Sequence, residues 1–113
     1  IPYWDFDFTD GSDEPRDSSA LAVAICGMLE MSDLLDRPGL RKKAEKLLGV
    51  LYRECAVKDP AISDGQLLHG VYCRKSPTND ARDRGVDECN TWGDYFYVEA
   101  LKRVVTPGWK AYW

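Results

Sequence analysis

Ser18-Ser19-Ala20-Leu21-Ala22-Val23-Ala24-Ile25-Cys26-Gly27-Met28-Leu29-Glu30-Met31 is the stretch that decides the fold. Its spacing predicts a helix from Ser18 to about Leu35. Leu21, Val23, Ala24, Ile25, Met28, Leu29 and Met31 leave almost no polar face before Glu30. A helix that is apolar nearly all round is a buried helix, because any face turned to water would be unfavourable. Asp17 or Ser18 can cap its start with a side-chain oxygen, and Pro38-Gly39 marks its end.

Working outward, a second helix is expected from about Leu40 to Ala56. Leu40, Ala44, Leu47, Leu48 and Leu51 fall on one stripe, with Arg41, Lys42, Lys43, Glu45, Lys46 and Arg53 mostly on the remainder. That pattern describes an outer helix, and its charge run reads as a solvated face. Residues 1–17 are irregular, aromatic first and then acidic, punctuated by Asp10-Gly11 and Pro15. Residues 58–91 form a long connection of a kind that carries function or hidden structure; within it, Gln66 to Tyr72 reads as a short extended piece. A third helix is expected from about Trp92 to Val105, apolar on more than one face and stopped by Thr106-Pro107-Gly108.

The order is therefore buried, outer, buried. Three helices cannot wrap two buried ones, and a chain of 113 residues has little core with which to try. Alternating inner and outer helices belong to a double-layered helical barrel, so the fold class expected is all-α, one part of such a ring. The opening Ile1-Pro2-Tyr3-Trp4, apolar and without Met, reads as a cut start. If the helices alternate as hairpins, the two inner helices run parallel and their N-termini share one end of the ring. The long segments enter there, and function gathers with long loops. That end carries Trp4, Asp5, Arg16, Asp17, Ser18, Ser19, His69, Trp92 and Asp94, of which Trp4, Arg16, Asp17, Ser18, His69 and Trp92 are the candidates for substrate contact.

Composition removes several alternatives. A net charge of -4 argues against nucleic acid as a partner, since phosphate neutralisation needs a basic face. No apolar run approaches the ~20 residues that cross a membrane, and no signal peptide is visible. Cys26, Cys55, Cys73 and Cys89 fit no disulfide scaffold, and Cys26 and Cys55 read as buried thiols inside helices. The acidic run from Asp5 to Glu14 fails the calcium-loop register, because Gly11 falls one place late and Arg16 stands where the bidentate Glu belongs. His69 and Cys73 are four apart without a second ligand pair of zinc-like spacing, so no metal is expected.

Two segments then carry a resemblance. Pro2-Tyr3-Trp4-Asp5-Phe6-Asp7 followed by Glu14-Pro15-Arg16-Asp17-Ser18-Ser19-Ala20 is one. His69-Gly70-Val71-Tyr72 followed by Gly85-Val86-Asp87-Glu88-Cys89-Asn90-Thr91-Trp92-Gly93-Asp94-Tyr95-Phe96-Tyr97 is the other. With the closing Trp109-Lys110-Ala111-Tyr112-Trp113, they resemble the unsaturated glucuronyl hydrolases of glycoside hydrolase family 88, in order and over essentially the whole chain. The resemblance implies that residues 1–113 are the C-terminal portion of a single (α/α)6 barrel of six helical hairpins. It implies an enzyme that removes 4,5-unsaturated glucuronic acid from the non-reducing end of lyase-generated oligosaccharides. In that reaction a carboxylic acid protonates the C4=C5 vinyl ether, water adds at C5 and the hemiketal opens, with no metal or organic cofactor. The family's two key aspartates match no position here, so no catalytic residue is assigned and the chain alone is expected to be inactive. Its partners would be an unsaturated uronic-acid oligosaccharide and the missing N-terminal portion of the same barrel, in a bacterial cytoplasm or periplasm. Arg74, Lys75, Arg82 and Arg84 do not reproduce the Ser-x-x-Ser-x-Lys pattern that accompanies sulfated substrates in some members.

Each candidate has a plainer reading beside the functional one. Trp4 and Trp92 fit stacking on sugar rings or packing between helix ends. Arg16 fits a carboxylate clamp or an ion pair with Asp13 or Asp17. Asp17 and Ser18 fit substrate contact or helix capping. His69 fits a pocket or a structural hydrogen bond. Thr91-x-x-Asp94 reads as a capping box. Two other identities stand as alternatives: a non-catalytic helical module binding acidic oligosaccharides, and a fragment of a related unsaturated rhamnogalacturonyl hydrolase.

Overall fold

A computed structural model describes residues 1–75, 85–106 and 108–111. The basic positions Arg82 and Arg84, Pro107 and the closing Tyr112 and Trp113 lie outside them. Among the described residues the chain is mostly helical: α1 (Ser18–Leu34), α2 (Pro38–Glu54) and α3 (Thr91–Val105). A small antiparallel sheet of β1 (Gly70–Cys73) and β2 (Gly85–Glu88) sits between α2 and α3 in sequence. The expectation of an all-α chain thus holds for the helices and misses the sheet. The extended piece anticipated in Gln66–Tyr72 is partly β1, and its partner strand went unread.

Helix boundaries follow local chemistry. Asp17 is the N-cap of α1, accepting from the Ser19 backbone N–H. Pro38-Gly39, expected to lie between the helices, instead opens α2. Proline at the first helical position is favourable, since its fixed φ suits the turn and no intrahelical donor is lost. Residues 35–37 alone reverse the chain. Asp36 there takes a left-handed φ of 48°, and Ser32 closes the turn by donating from Oγ to the Arg37 carbonyl at 3.0 Å. Asn90 caps α3 by accepting from Gly93 N at 2.7 Å, which corrects the capping-box reading of Asp94.

α1 and α3 run side by side and parallel, as contacts along their length establish. The Trp92 indole donates to Ser19 Oγ near both N-termini, the Cys26 thiol donates to the Phe96 carbonyl in the middle, and Arg103 bonds Glu30 near both C-termini. Gly93 makes the approach possible, because a Cβ there would sit 3.1 Å from the Ser19 Cβ. Leu21, Ala22, Ile25 and Leu29 of α1 join Ala44, Leu48 and Leu51 of α2, Cys55, Leu67, and Tyr97 and Ala100 of α3 in one core. Burial and the neighbouring Glu99 carboxylate push the Cys26 thiol up to about 12. It therefore stays protonated as a donor, in keeping with an inert core cysteine.

The faces of α1 and α3 turned away from this core carry exposed apolar side chains. Val23, Ala24, Gly27, Met31 and Leu34 form an exposed stripe on α1, at helical spacing. Trp92, Tyr95, Val98 and Val105 form another on α3. No helix among the described residues is long and apolar enough to cross a membrane.

Candidate functional site: the helix N-terminal end

The N-termini of α1 and α3 and the C-terminus of α2 meet at one end, and the polar groups there are organised in two levels. The lower level is buried. Asp17 Oδ1 accepts from Ser19 N at 3.0 Å, from Ser19 Oγ at 2.7 Å and from Val71 N at 3.2 Å. Ser18 Oγ donates to the Leu68 carbonyl at 2.6 Å, and Ser18 N donates to the His69 carbonyl at 3.0 Å. Nearer the surface, half-buried Asp94 accepts through Oδ1 from the backbone N–H groups of exposed Gln66 and buried Leu67 at 2.9 and 2.8 Å. A buried polar group left unpaired costs more than a formed hydrogen bond contributes, so these bonds rivet β1 and the 63–67 loop to the helix ends.

The upper level is exposed. Tyr72 meets Trp92 edge to face, with ring centroids 5.9 Å apart and planes at 87°. Beneath this pair opens a cleft of about 450 Å³ lined also by Glu88, Cys89, Asn90, Thr91 and Asp94. The Tyr72 hydroxyl donates to Glu88 Oε2 at 3.3 Å, and the Glu88 carboxylate raises the phenol pKa. A second cleft, of about 460 Å³, brings Arg16, His69 and Asp87 together with Glu54, Cys55 and the Ile1-Pro15 edge. His69 Nδ1 pairs with Asp87 Oδ1. The Arg16 guanidinium lies 3.7 Å from the Tyr3 ring centroid, donates to the Ile1 carbonyl at 2.8 Å and reaches Asp10 at 3.7 Å. Its ion-pair partner is thus neither Asp13 nor Asp17. Trp4 is held away from both clefts, its indole donating to Glu14 Oε2 at 2.9 Å and its ring against Phe8. Arg74 reaches the same Glu14 oxygen at 3.2 Å.

No protein-family model matches the chain. The unsaturated chondroitin disaccharide hydrolase of Streptococcus pyogenes serotype M1 is 42% identical across the whole chain, which covers 28% of that protein. The unsaturated glucuronyl hydrolase of Bacillus sp. strain GL1 is 30% identical, again across the whole chain and 29% of the relative. The crystal structure of unsaturated glucuronyl hydrolase from Streptococcus agalactiae superposes with a TM-score of 0.83 at 39% identity, covering 100% of this chain and 30% of that one. The chain is a homologue of the unsaturated glucuronyl hydrolases. It spans under a third of the length of the relatives it matches. A variant of the Streptococcus agalactiae enzyme has been crystallised with dGlcA-GalNAc6S.

Seen against these hydrolase relatives, the residues singled out from sequence divide by position. All six occur at the expected end. Trp92 faces one cleft, Arg16 and His69 face the other, Asp17 and Ser18 lie in the buried floor between them, and Trp4 stands to one side. Tyr72, Glu88 and Asp87 were quoted in the motifs without a role. No local signal marks them, because their placement depends on the pairing of two strands separated in sequence.

Proposed function

We propose that residues 1–113 are the C-terminal portion of a single helical-barrel catalytic domain, an arc of an (α/α)6 ring of inner and outer helices. The whole enzyme removes 4,5-unsaturated glucuronic acid from the non-reducing end of lyase-generated oligosaccharides by hydrating the vinyl ether. The observation that carries this reading is the match of the full chain, at 42% identity, to under a third of a protein named for an unsaturated chondroitin disaccharide. The two bare apolar stripes on α1 and α3 support the ring, because contiguous apolar surface of this kind calls for a covering partner. The remaining helices of the same barrel are that partner. A radius of gyration of 15.0 Å, against about 13 Å for a compact chain of this size, accords with an open arc.

The arc contributes binding. Trp92 and Tyr72 offer aromatic planes to the C–H faces of a sugar, and Arg16 and His69 bear on the substrate from the same end, with Trp4 to one side. Asp17 and Ser18 act from beneath. The carboxylic acid that protonates C4=C5 is assigned to the rest of the barrel, because the two key aspartates of the family that the chain resembles match no position in this sequence. The chain by itself therefore binds without turning over.

The test mixes the isolated chain with an unsaturated chondroitin disaccharide and follows both tryptophan fluorescence and the ultraviolet absorbance of the conjugated uronate. Fluorescence should change in the native chain and not in Trp92→Ala, while absorbance holds steady. Turnover by the chain alone would sink the assignment of the acid to the missing part. In the full-length parent, Trp92→Ala and Arg16→Ala should each raise KM by ~3- to 10-fold with a smaller change in kcat.

A further inference from the structure

We propose that His69 and Asp87 are positioning residues that set the Tyr72–Trp92 platform, although they line the cleft on the other side of the hairpin. The inference rests on the reading of that platform as a saccharide surface, but its structural half can be tested without any saccharide.

The register of the sheet is the starting point. Gly70 pairs with Glu88, Val71 with Val86, and Cys73 with Gly85. One step along β1 from Gly70 to Val71 is therefore matched by two along β2, which leaves Asp87 as an extra residue. Two steps along β1 from Val71 to Cys73 are matched by one along β2, which leaves Tyr72 extra. Each strand carries a bulge, and the two cancel. Bulges re-aim side chains and recur beside functional sites. Here one throws Tyr72 toward Trp92, with its ring over Gly85, where an added Cβ would fall 2.9 Å from Tyr72 Cε2. The other throws Asp87 toward His69.

Holding Asp87 out has a conformational cost. Asp87 has φ of 62° and His69 has φ of 66°, both left-handed, a region that glycine enters freely and a residue with a Cβ does not. Two such residues facing each other across the same end of a hairpin call for a side-chain reason, and the Nδ1–Oδ1 bond supplies it. The chain of restraint is continuous. Ser18 N and Asp17 Oδ1 pin β1 to α1 through the His69 carbonyl and Val71 N. The His69 imidazole then holds β2 through Asp87. Without that bond the Asp87 bulge can relax, and a strand that loses one extra residue slips its register and turns alternate side chains to the other face. Tyr72 and Glu88, which face the Trp92 cleft, would move with it. Both members of the pair are solvent-accessible, at 46% and 69% of the side chain, so the bond adds little to global stability. Its effect lies in where Tyr72 stands.

Asp87→Gly separates this account from a purely conformational one. It relieves the left-handed φ, so backbone strain alone predicts an unchanged or firmer hairpin. The positioning account predicts that the nuclear Overhauser contact between the Tyr72 and Trp92 rings disappears while the thermal midpoint stays close to that of the parent chain. Affinity for an unsaturated chondroitin disaccharide should fall on the order of tenfold. Asp87→Asn, which keeps an acceptor for the imidazole and tolerates the left-handed region, should restore the ring contact. Should Asp87→Gly fail to fold, His69→Gly gives the same comparison, because it too relieves a left-handed φ and removes the bond. Survival of the ring contact in the folded variant overturns the proposal. If instead the native chain does not bind the disaccharide, the saccharide reading fails while the ring contact still decides the positioning.

Discussion

At one end of the helix stack, residues 35–37 carry α1 into α2 with a single left-handed residue, a serine clasp and a proline start. At the other, a loop over residues 55–69 and the paired strands β1 and β2 precede α3. Both ends satisfy orphan helix groups, but by different means. The short link leaves Leu34 at 73% and Leu35 at 52% exposure, and of residues 32–37 only Ser32 is buried. The long end buries Asp17, Ser18, Ser19 and Asn90. A turn that only reverses the chain needs few fixed points. An end that must present Trp92, Tyr72, Arg16 and His69 in set positions needs fixed points, and the three hydrogen bonds that converge on the buried Asp17 carboxylate supply rigidity that apolar contacts do not.

Three substitutions bear on that contrast. The largest effect should come from Asp17→Ala, which removes the acceptor of three hydrogen bonds and strands Val71 N. A loss of about 2–3 kcal/mol in urea unfolding is expected, and a loss no greater than that at the short link would erase the distinction between the two ends. Next, Asp94→Ala frees the Gln66 and Leu67 N–H groups. Stability should drop by about 1–2 kcal/mol, with faster hydrogen exchange at those two amides. Exchange unchanged at both would mean the 63–67 loop is held by something else. Smallest, Ser32→Ala at the short link should cost about 0.5–1.5 kcal/mol and leave exchange at the opposite end untouched; a change there would couple the two ends and sharpen the comparison into a single cooperative unit.

Much of the helical scaffold was legible because helix periodicity is a local property. The apolar run from Leu21 to Met31 marks an inner helix, and the Lys/Arg-rich face of 41–53 marks an outer one. The shared end of Trp4, Arg16, Asp17, Ser18, His69 and Trp92 followed from alternation alone. The start of α2 was misread because Pro-Gly punctuates either side of a helix boundary and proline's ring fixes φ alike in both; only the helical hydrogen bonding of the residues after Pro38 makes it a start. Asp94 was misread for a related reason. A carboxylate three places into a helix fits a capping box, but here Asn90 had already taken the cap, and Asp94 was free to hold a loop about 27 residues distant in sequence.

By itself, the sequence determined which segments are helical, which of their faces seek cover, and which family the chain resembles, since each rests on residue type and short-range spacing. Only the tertiary structure decided that Arg16 and His69 share a cleft that excludes Trp92, that Asp17 serves Val71, and that Tyr72 and Asp87 are thrown to opposite sides of one hairpin. The physical reason is that a bulge, a register and a buried hydrogen bond are fixed by partners far along the chain, and no local pattern records which partner is met.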